Sequence, residues 1–193
     1  MSYDLQCIYS SMLETERLIL RRFDENDTDA VFALRGDAEM MRFIREPQNR
    51  QESVNWLKMV SSLWETEKIG FCAVVEKSSG SLIGWCGLWR LKETGETEIG
   101  YAIARRFWGE NFATEAARAF LIYGFETLKL GKIAAVAAPE NTGSRRVMEK
   151  LGMTFDYTGE FYGRDLVHYS ISRESWVESQ KRLSRLPTRD SRL

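Results

Sequence analysis

The pattern of apolar and polar positions changes several times along the chain. Segments in which apolar and polar residues alternate predict strands, and apolar residues three and four positions apart predict helices. Seven strands are predicted on this basis, at residues 17–23, 69–76, 82–91, 97–104, 132–138, 153–158 and 165–172. Four helices are predicted, one from Asn26, Asp27 or Thr28 to about residue 34 and three at residues 51–66, 114–128 and 141–151.

The order of these elements indicates an α/β fold with a mixed central sheet of about seven strands and about four flanking helices. Two hairpins in series, with turns around Gly80 and Gly95, form an antiparallel meander over residues 69–104. The strand, helix and strand that follow predict a right-handed parallel connection. We expect one domain, residues 14–173, between an N-terminal tail, residues 1–13, and a C-terminal helix and tail, residues 174–193.

Composition limits the location and the partners of the chain. A formal net charge of -1 predicts no overall field that would attract nucleic acid. Cys7, Cys72 and Cys86 are an odd number without disulfide or metal-ligand spacing, so no metal and a reducing cytoplasm are expected. No apolar run approaches the ~18 residues of a membrane span, so neither membrane insertion nor export is expected.

Residues 98–113 carry the strongest chemical signal. A strand leads through a loop of small residues into a helix that begins near Thr114, and a helix start directs free backbone N–H groups at one place. Gly109 and Asn111 readily adopt positive φ, and Ala113 lets a ligand approach the backbone. From these residues alone, an anion site and a tight turn packed on the sheet are both open interpretations.

Several sequence blocks carry a resemblance to a known family. EIGYAI, FWGENFATEAARAFLIYGFETLKLGKI and PENTGSRRVMEKLGMTF follow one another between residues 98 and 155, and ETERLILRRF precedes them at residues 14–23. Together they resemble the GNAT superfamily, and most of all its branch of ribosomal-protein N-terminal and related small-amine acetyltransferases. The resemblance covers about residues 15–172. It implies the GNAT fold, with a splayed parallel strand pair, and transfer of acetyl from acetyl-coenzyme A (acetyl-CoA) to a primary amine.

The resemblance also implies which residues bind acetyl-CoA. The pantetheine arm would pair with the strand at Tyr101, Ala102 and Ile103, beside a distortion at Gly100, and would contact Asn141. The pyrophosphate would bind the loop formed by Gly109, Glu110, Asn111, Phe112, Ala113 and Thr114.

This loop departs from the family pattern at two positions. Trp108 stands where an Arg or Gln is usual, and Asn111 stands where a Gly is usual. Because Asn tolerates left-handed backbone better than most residues, we expect weakened rather than abolished binding.

Transfer to an amine needs an unprotonated nitrogen and a donor to the carbonyl oxygen. Glu98, on the strand that should line the cleft, is the candidate base; the alternative is a carboxylate paired with an Arg on the sheet face. A backbone N–H near Ala102 or Ile103 would bind the oxygen. Asn141 and Ser144 match the family's N-x-x-S at a helix start, where Asn141 would also cap the helix and Ser144 would lie near the sulfur as a weak proton donor.

Three other residues with reactive side chains are weaker candidates. His168, the single histidine, could face the acceptor cleft or be an ordinary half-buried strand histidine, and the second is favoured. Cys72 and Cys86 fall within predicted strands and are expected to pack as small apolar residues. Direct transfer from acetyl-CoA is therefore expected, without an acetyl-cysteine intermediate.

The acceptor is expected to be a protein or peptide N-terminus or a small amine, and the protein a monomer or homodimer. Aromatic residues that could wall its pocket are Trp56, Trp64, Phe161 and Tyr162. Acidic residues that could attract a cationic amine are Asp24, Glu46, Glu160 and Asp165. The alternative function is a non-catalytic acyl-CoA-binding module, which the altered phosphate loop would permit.

Overall fold

The structure is a computed structural model that describes residues 11–184, with side chains from residue 12 to residue 181. This part of the chain forms eight strands and six helices. The strands are β1 Ser11–Glu14, β2 Leu18–Arg21, β3 Phe71–Glu76, β4 Leu82–Arg90, β5 Thr97–Ile103, β6 Lys132–Ala137, β7 Thr154–Phe161 and β8 Arg164–Ser172. The helices are α1 Thr28–Arg35, α2 Ala38–Met41, α3 Arg50–Thr66, α4 Phe112–Ile122, α5 Thr142–Lys150 and α6 Arg173–Ser184.

One mixed sheet contains all eight of these strands, in the order β1-β2-β3-β4-β5-β6-β8-β7. Every neighbouring pair is antiparallel except β5 and β6, which are parallel and are joined by α4. The predicted α/β fold with a parallel pair after an antiparallel meander is therefore confirmed.

Helices cover both faces of the sheet. On one face α4, α5 and α6 pack against a core that includes Phe120, Leu88 and Ile133. On the other face α1, α2 and α3 bury a second core that includes Trp56 and Trp85. The capping box between Asn49 and Glu52 fixes the start of α3, because each side chain accepts the backbone N–H of the other residue. The strands β3, β4 and β5 contribute buried residues to both cores.

The structure differs from the expected elements in four places. β1 lies mostly within the segment expected to be an N-terminal tail and pairs with β2. The short helix α2 follows α1 directly, and α4 begins at Phe112 and ends in a π-helical turn, Tyr123–Thr127. β7 continues through Phe161, so the glycine-rich connection to β8 is shorter than expected. Apolar runs this short do not mark their ends reliably.

Candidate active site

The parallel strands β5 and β6 separate from each other after a single registered pair. Glu98 lies opposite Ala134, and no later residue of the described β5 pairs with β6. β4 continues to pair with β5 without interruption from Arg90 and Thr97 to Gly84 and Ile103. The splayed pair is therefore present and begins directly before Gly100, while on its other edge β5 keeps regular pairing with β4, because Gly100 lies opposite Gly87.

A cavity of about 760 Å³ opens at this separation. Its walls come from the sheet, from the segment between α2 and α3, from the start of α5 and from the turn between β7 and β8. Four of the residues proposed from sequence for catalysis or for acetyl-CoA binding line it: Glu98, Tyr101, Asn141 and Ser144. The separation of the strands thus joins residues from β5 and α5 in one space.

Glu98 is a buried carboxylate held by a tyrosine. Its Oε2 accepts a hydrogen bond from the hydroxyl of Tyr162 at 2.6 Å, and none of the ion pairs between described residues involves Glu98. Burial raises the pKa of Glu98 to about 7, while the hydrogen bond from Tyr162 and the backbone of Val136 oppose this rise. The Arg-paired alternative is therefore wrong, and the group can exchange a proton near neutral pH.

Tyr162, in the turn between β7 and β8, is held in place by a contact with the turn between β4 and β5. It adopts φ 53°, uncommon for a tyrosine, and its backbone N–H donates to Oε1 of Glu93 at 2.7 Å. Burial, and then the charge of Glu98, raise the pKa of the Tyr162 phenol, so the phenol remains a hydrogen-bond donor. Sequence analysis treated Tyr162 only as a possible aromatic wall.

Asn141 and Ser144 form the start of α5. Oδ1 of Asn141 accepts the backbone N–H of Ser144 at 3.0 Å, as expected for an N-cap. The hydroxyl of Tyr101 lies 3.0 Å from both the hydroxyl and the carbonyl oxygen of Ser144. Tyr101, which packs on the α4 side of the sheet, thus ties β5 to α5 beside the cavity.

The loop before α4 has the geometry of an anion site. Gly109 and Asn111 have φ of 87° and 63°, and the helix begins at Phe112. The N–H groups of Phe112, Ala113 and Thr114 have no acceptor within the helix, as in any first turn. The hydroxyl of Thr114 is buried, and within the described residues it contacts no hydrogen-bond partner. These donors fit a diphosphate.

Trp108 and Asn111, the two residues that depart from the family pattern in this loop, each form a hydrogen bond. The indole N–H of Trp108 donates to the carbonyl oxygen of Ile103 at 2.7 Å, which closes the turn after β5. Nζ of Lys150, from α5, donates to Oδ1 of Asn111 at 2.6 Å and places a cation beside the loop. Lys150 was not singled out from sequence, because it lies 39 positions from Asn111.

Arg17, directly before β2, contacts the same loop. Its guanidinium pairs with Glu115 at 2.7 Å, lies 4.2 Å from the centre of the Phe112 ring and donates to the carbonyl oxygen of Glu110 at 2.9 Å. Thr15 donates to Glu115 as well, at 2.6 Å. The first turn of α4 is therefore fixed by residues about one hundred positions away.

His168 does not face the cleft. It is fully buried, with its ring nitrogens 3.0 Å from carboxylate oxygens of Asp156 and Glu96, and its ring packs against the rings of both Tyr157 and Phe161. His168 is thus more deeply buried than the half-buried histidine that was expected, and the alternative of a histidine in the acceptor cleft is wrong. Its contacts join β8 to β7 and to the turn before β5.

Neither cysteine in the described part of the chain has catalytic geometry. Cys72 and Cys86 are opposite each other on β3 and β4 and are fully buried. Burial raises the pKa of Cys72 to about 12 and also raises the pKa of Cys86, so both stay as unreactive thiols. Cys7 lies outside the described residues. Within residues 11–184, no cluster of His, Cys, Asp and Glu could bind a metal ion, and no helix is long and apolar enough to cross a membrane.

The walls of the cavity differ from the expected acceptor pocket. Trp56 and Tyr162 line it, whereas Trp64 and Phe161 are buried in the cores. Of the four acidic residues considered from sequence, only Glu46 lines the cavity. Arginines are also present: Arg35, Arg42, Arg45 and Arg164.

Comparisons with known proteins agree with this geometry. YkkB of Bacillus subtilis is 34% identical over 168 residues, which cover 81% of this chain and 93% of YkkB. The FsC-acetyl coenzyme A-N(2)-transacetylase of Aspergillus fumigatus is 28% identical over 190 residues, which cover 88% of this chain and 79% of that protein. The crystal structure of a GNAT-family acetyltransferase from Bacillus anthracis superposes with a TM-score of 0.73 at 28% identity, covering 84% of this chain and 98% of that one.

The family itself is shown by a sequence profile. The profile described as "Acetyltransferase (GNAT) domain" matches residues 17–154, which include β2, the splayed strands, α5 and residues 109–114 at the start of α4, here called the anion loop. The chain therefore belongs to the GNAT acetyltransferases and is an acyltransferase.

Proposed function

We propose that this enzyme transfers acetyl directly from acetyl-CoA to a primary amine. The observation that carries the proposal is the buried carboxylate of Glu98, which lies at the separation of β5 and β6 in the cavity wall and has a pKa of about 7. A base of this pKa can take a proton from an ammonium near neutral pH.

The chain offers a consistent set of contacts for acetyl-CoA. Backbone N–H groups of residues 112–114, the Thr114 hydroxyl and Lys150 would hold the diphosphate. The edge of β5 that β6 leaves free, at Tyr101 and Ala102, would pair with the pantetheine arm, and Asn141 would contact it. When bound, acetyl-CoA supplies an activated acyl group on a thiol leaving group.

The residues around the cavity would act in a fixed order. Glu98 accepts a proton from the incoming ammonium, and the neutral nitrogen then attacks the acyl carbon. A backbone N–H near Ala102 or Ile103 donates to the carbonyl oxygen as negative charge develops there. As the C–S bond breaks, Ser144 would donate a proton to the departing sulfur and regain one from solvent, while the nitrogen would lose its second proton to solvent and become the neutral amide. A thiol with a pKa near ~8.5 leaves readily, so the donation by Ser144 contributes little.

The proposed acceptor is a protein or peptide N-terminus or a small amine, because the branch that the chain resembles contains both ribosomal-protein N-terminal and small-amine acetyltransferases. Isothermal titration with acetyl-CoA, followed by a thiol-release assay over a panel of amines, tests the proposal. We expect binding and amine-dependent release of coenzyme A. Binding without release for any amine would contradict it and favour an acyl-CoA-binding module.

A further inference from the structure

The cavity that contains Glu98 is lined by more cations than free anions. Four arginines line it: Arg35, Arg42, Arg45 and Arg164. The carboxylates in its wall are Glu46, Glu52 and Glu98. Glu52 is engaged in capping α3, and Glu98 is partly protonated near neutral pH. An ammonium without a compensating anion would therefore enter a space of net positive charge.

Arg35 is the most unusual of these arginines. It is 3% exposed, and within the described residues no carboxylate pairs with it. Its Nε donates to Oε1 of Gln48, and its guanidinium lies 4.1 Å from the centre of the Trp56 ring and 5.1 Å from that of Trp85. Burial, and then the charge of Arg45, lower the pKa of Arg35 to about 9. A buried cation that meets only a neutral oxygen and aromatic faces gains strongly from a nearby anion.

Arg45 lines the same cavity as Arg35, Tyr162 and Glu98. Its charge lowers the pKa of Arg35 and also that of the Tyr162 phenol, so it lies within electrostatic range of both. Arg45 itself is exposed and, within the described residues, no carboxylate forms an ion pair with it. Arg164 donates to the carbonyl oxygens of Phe43 and Ile44 and so holds this segment against the β7–β8 turn. The arginines thus border the space beside Tyr162 and Glu98.

These arginines belong to the acceptor side of the sheet. Arg35 contacts Trp56 and Trp85, which lie in the core under α1 and α3. The anion loop lies at the start of α4, which packs in the core on the opposite face. The diphosphate of acetyl-CoA at that loop would therefore leave the arginines free for the acceptor.

We propose that the acceptor is a small primary amine that also carries an anionic group, a carboxylate or a phosphate, bound by Arg45 and Arg35 while its amine faces Glu98. This inference rests on the proposed function and names its substrate class. The aromatic walls, which include Phe71 and Trp89 stacked at 5.5 Å, would pack against the body of that molecule.

Matched pairs of amines that differ only in the anion test this proposal. Phenylalanine against phenethylamine tests a carboxylate, and glucosamine 6-phosphate against glucosamine tests a phosphate. We expect the anionic member of at least one pair to have a kcat/KM about tenfold higher or more, as a charge-assisted hydrogen bond contributes. Equal or better transfer to the member without the anion in both pairs, or a preference for spermidine, would overturn the proposal.

The variant Arg45→Glu separates the arginine contact from general effects. It should remove or reverse the preference within the favoured pair while leaving the affinity for acetyl-CoA unchanged. Lys58→Glu, the same charge change at an exposed position of α3 outside the cavity, is the matched control and should keep the preference. An unchanged preference in Arg45→Glu would also overturn the proposal.

The proposed function and this inference can fail separately. If no amine is acetylated although acetyl-CoA binds, the proposed function fails. Titration of the same amine pairs into the complex with coenzyme A then decides the anion preference by affinity, with tighter binding of the anionic members supporting it and equal binding overturning it.

Discussion

The hydroxyl of Tyr162 lies 2.6 Å from Oε2 of Glu98, although 64 positions separate the two residues. This contact does two things. It positions one carboxylate oxygen, and it favours the charged form of Glu98 against the burial that disfavours it. The tyrosine therefore sets the pH at which the proposed base becomes active.

Removing the tyrosine hydroxyl should shift this pH. In Tyr162→Phe, Glu98 loses a hydrogen bond that lowers its pKa. The midpoint of the acid limb of kcat/KM should therefore move up from about pH 7 by about one pH unit. The pH profile of the thiol-release assay measures this shift. Tyr157→Phe, on β7 and outside the cavity, should leave the profile unchanged. An unchanged limb in Tyr162→Phe would show that the contact does not tune the base.

Replacing the base itself should remove the acid limb of the pH profile of kcat/KM. Because Glu98 must be deprotonated to accept a proton, the activity of the wild type should rise as the pH increases through about 7. In Glu98→Gln we expect kcat/KM to fall by about 100-fold and this rise to disappear. Acetyl-CoA affinity, measured by titration, is the control and should stay the same. A variant that keeps both the rate and the pH profile of the wild type would exclude Glu98 as the base.

The same carboxylate should make the protein less stable at higher pH. The pKa of Glu98 is raised in the folded state from 4.5 to about 7, so the folded protein binds more protons than the unfolded chain between these values. The free energy of unfolding should therefore fall as the pH rises through this window, by up to about 3 kcal/mol.

The comparison with Glu98→Gln isolates this contribution from the other titrating groups. Urea unfolding at about pH 5 and about pH 8 should show that the variant loses less stability with rising pH than the wild type. Parallel pH dependence in the two proteins would contradict the raised pKa.

Local sequence patterns were sufficient to predict much of the fold and part of the site. The strands of the meander and the parallel connection follow from alternation and element order, and the N-cap Asn141 follows from its position before a helical repeat. The splay of the parallel pair, and a cleft along the strand of Glu98, were implied by the family resemblance, and alternation then put Glu98 on the same face as Gly100 and Ala102. These features depend on residues that are close in sequence.

The rest depends on contacts between distant elements, which one sequence does not report. Tyr162 reaches Glu98 only because the β7–β8 turn lies beside the start of β5, and Arg17 reaches Glu115 across 98 positions. The arginines of the cavity come from α1, from the segment after α2 and from β8. Their common location is set by packing, and sequence analysis accordingly considered acidic residues in their place.

The left-handed turn at Asn111 should be necessary for acetyl-CoA binding. Asn111→Gly keeps the φ of 63° without strain and loses only the contact with Lys150, so affinity should fall by about threefold or less. Asn111→Val cannot hold this φ, so it should lose about 1–2 kcal/mol of stability and bind acetyl-CoA at least about tenfold more weakly. Titration and thermal unfolding measure the two effects.

Lys129→Val provides the matched control for Asn111→Val. Lys129 has a φ of 58° and lies in the exposed turn before β6, away from the anion loop. The same β-branched substitution there should cost similar stability without changing the affinity for acetyl-CoA, because it strains the backbone at a place that directs no N–H group at the ligand. If both variants lost affinity equally, the loss would come from general destabilisation, and the turn at Asn111 would have no specific part in binding the diphosphate.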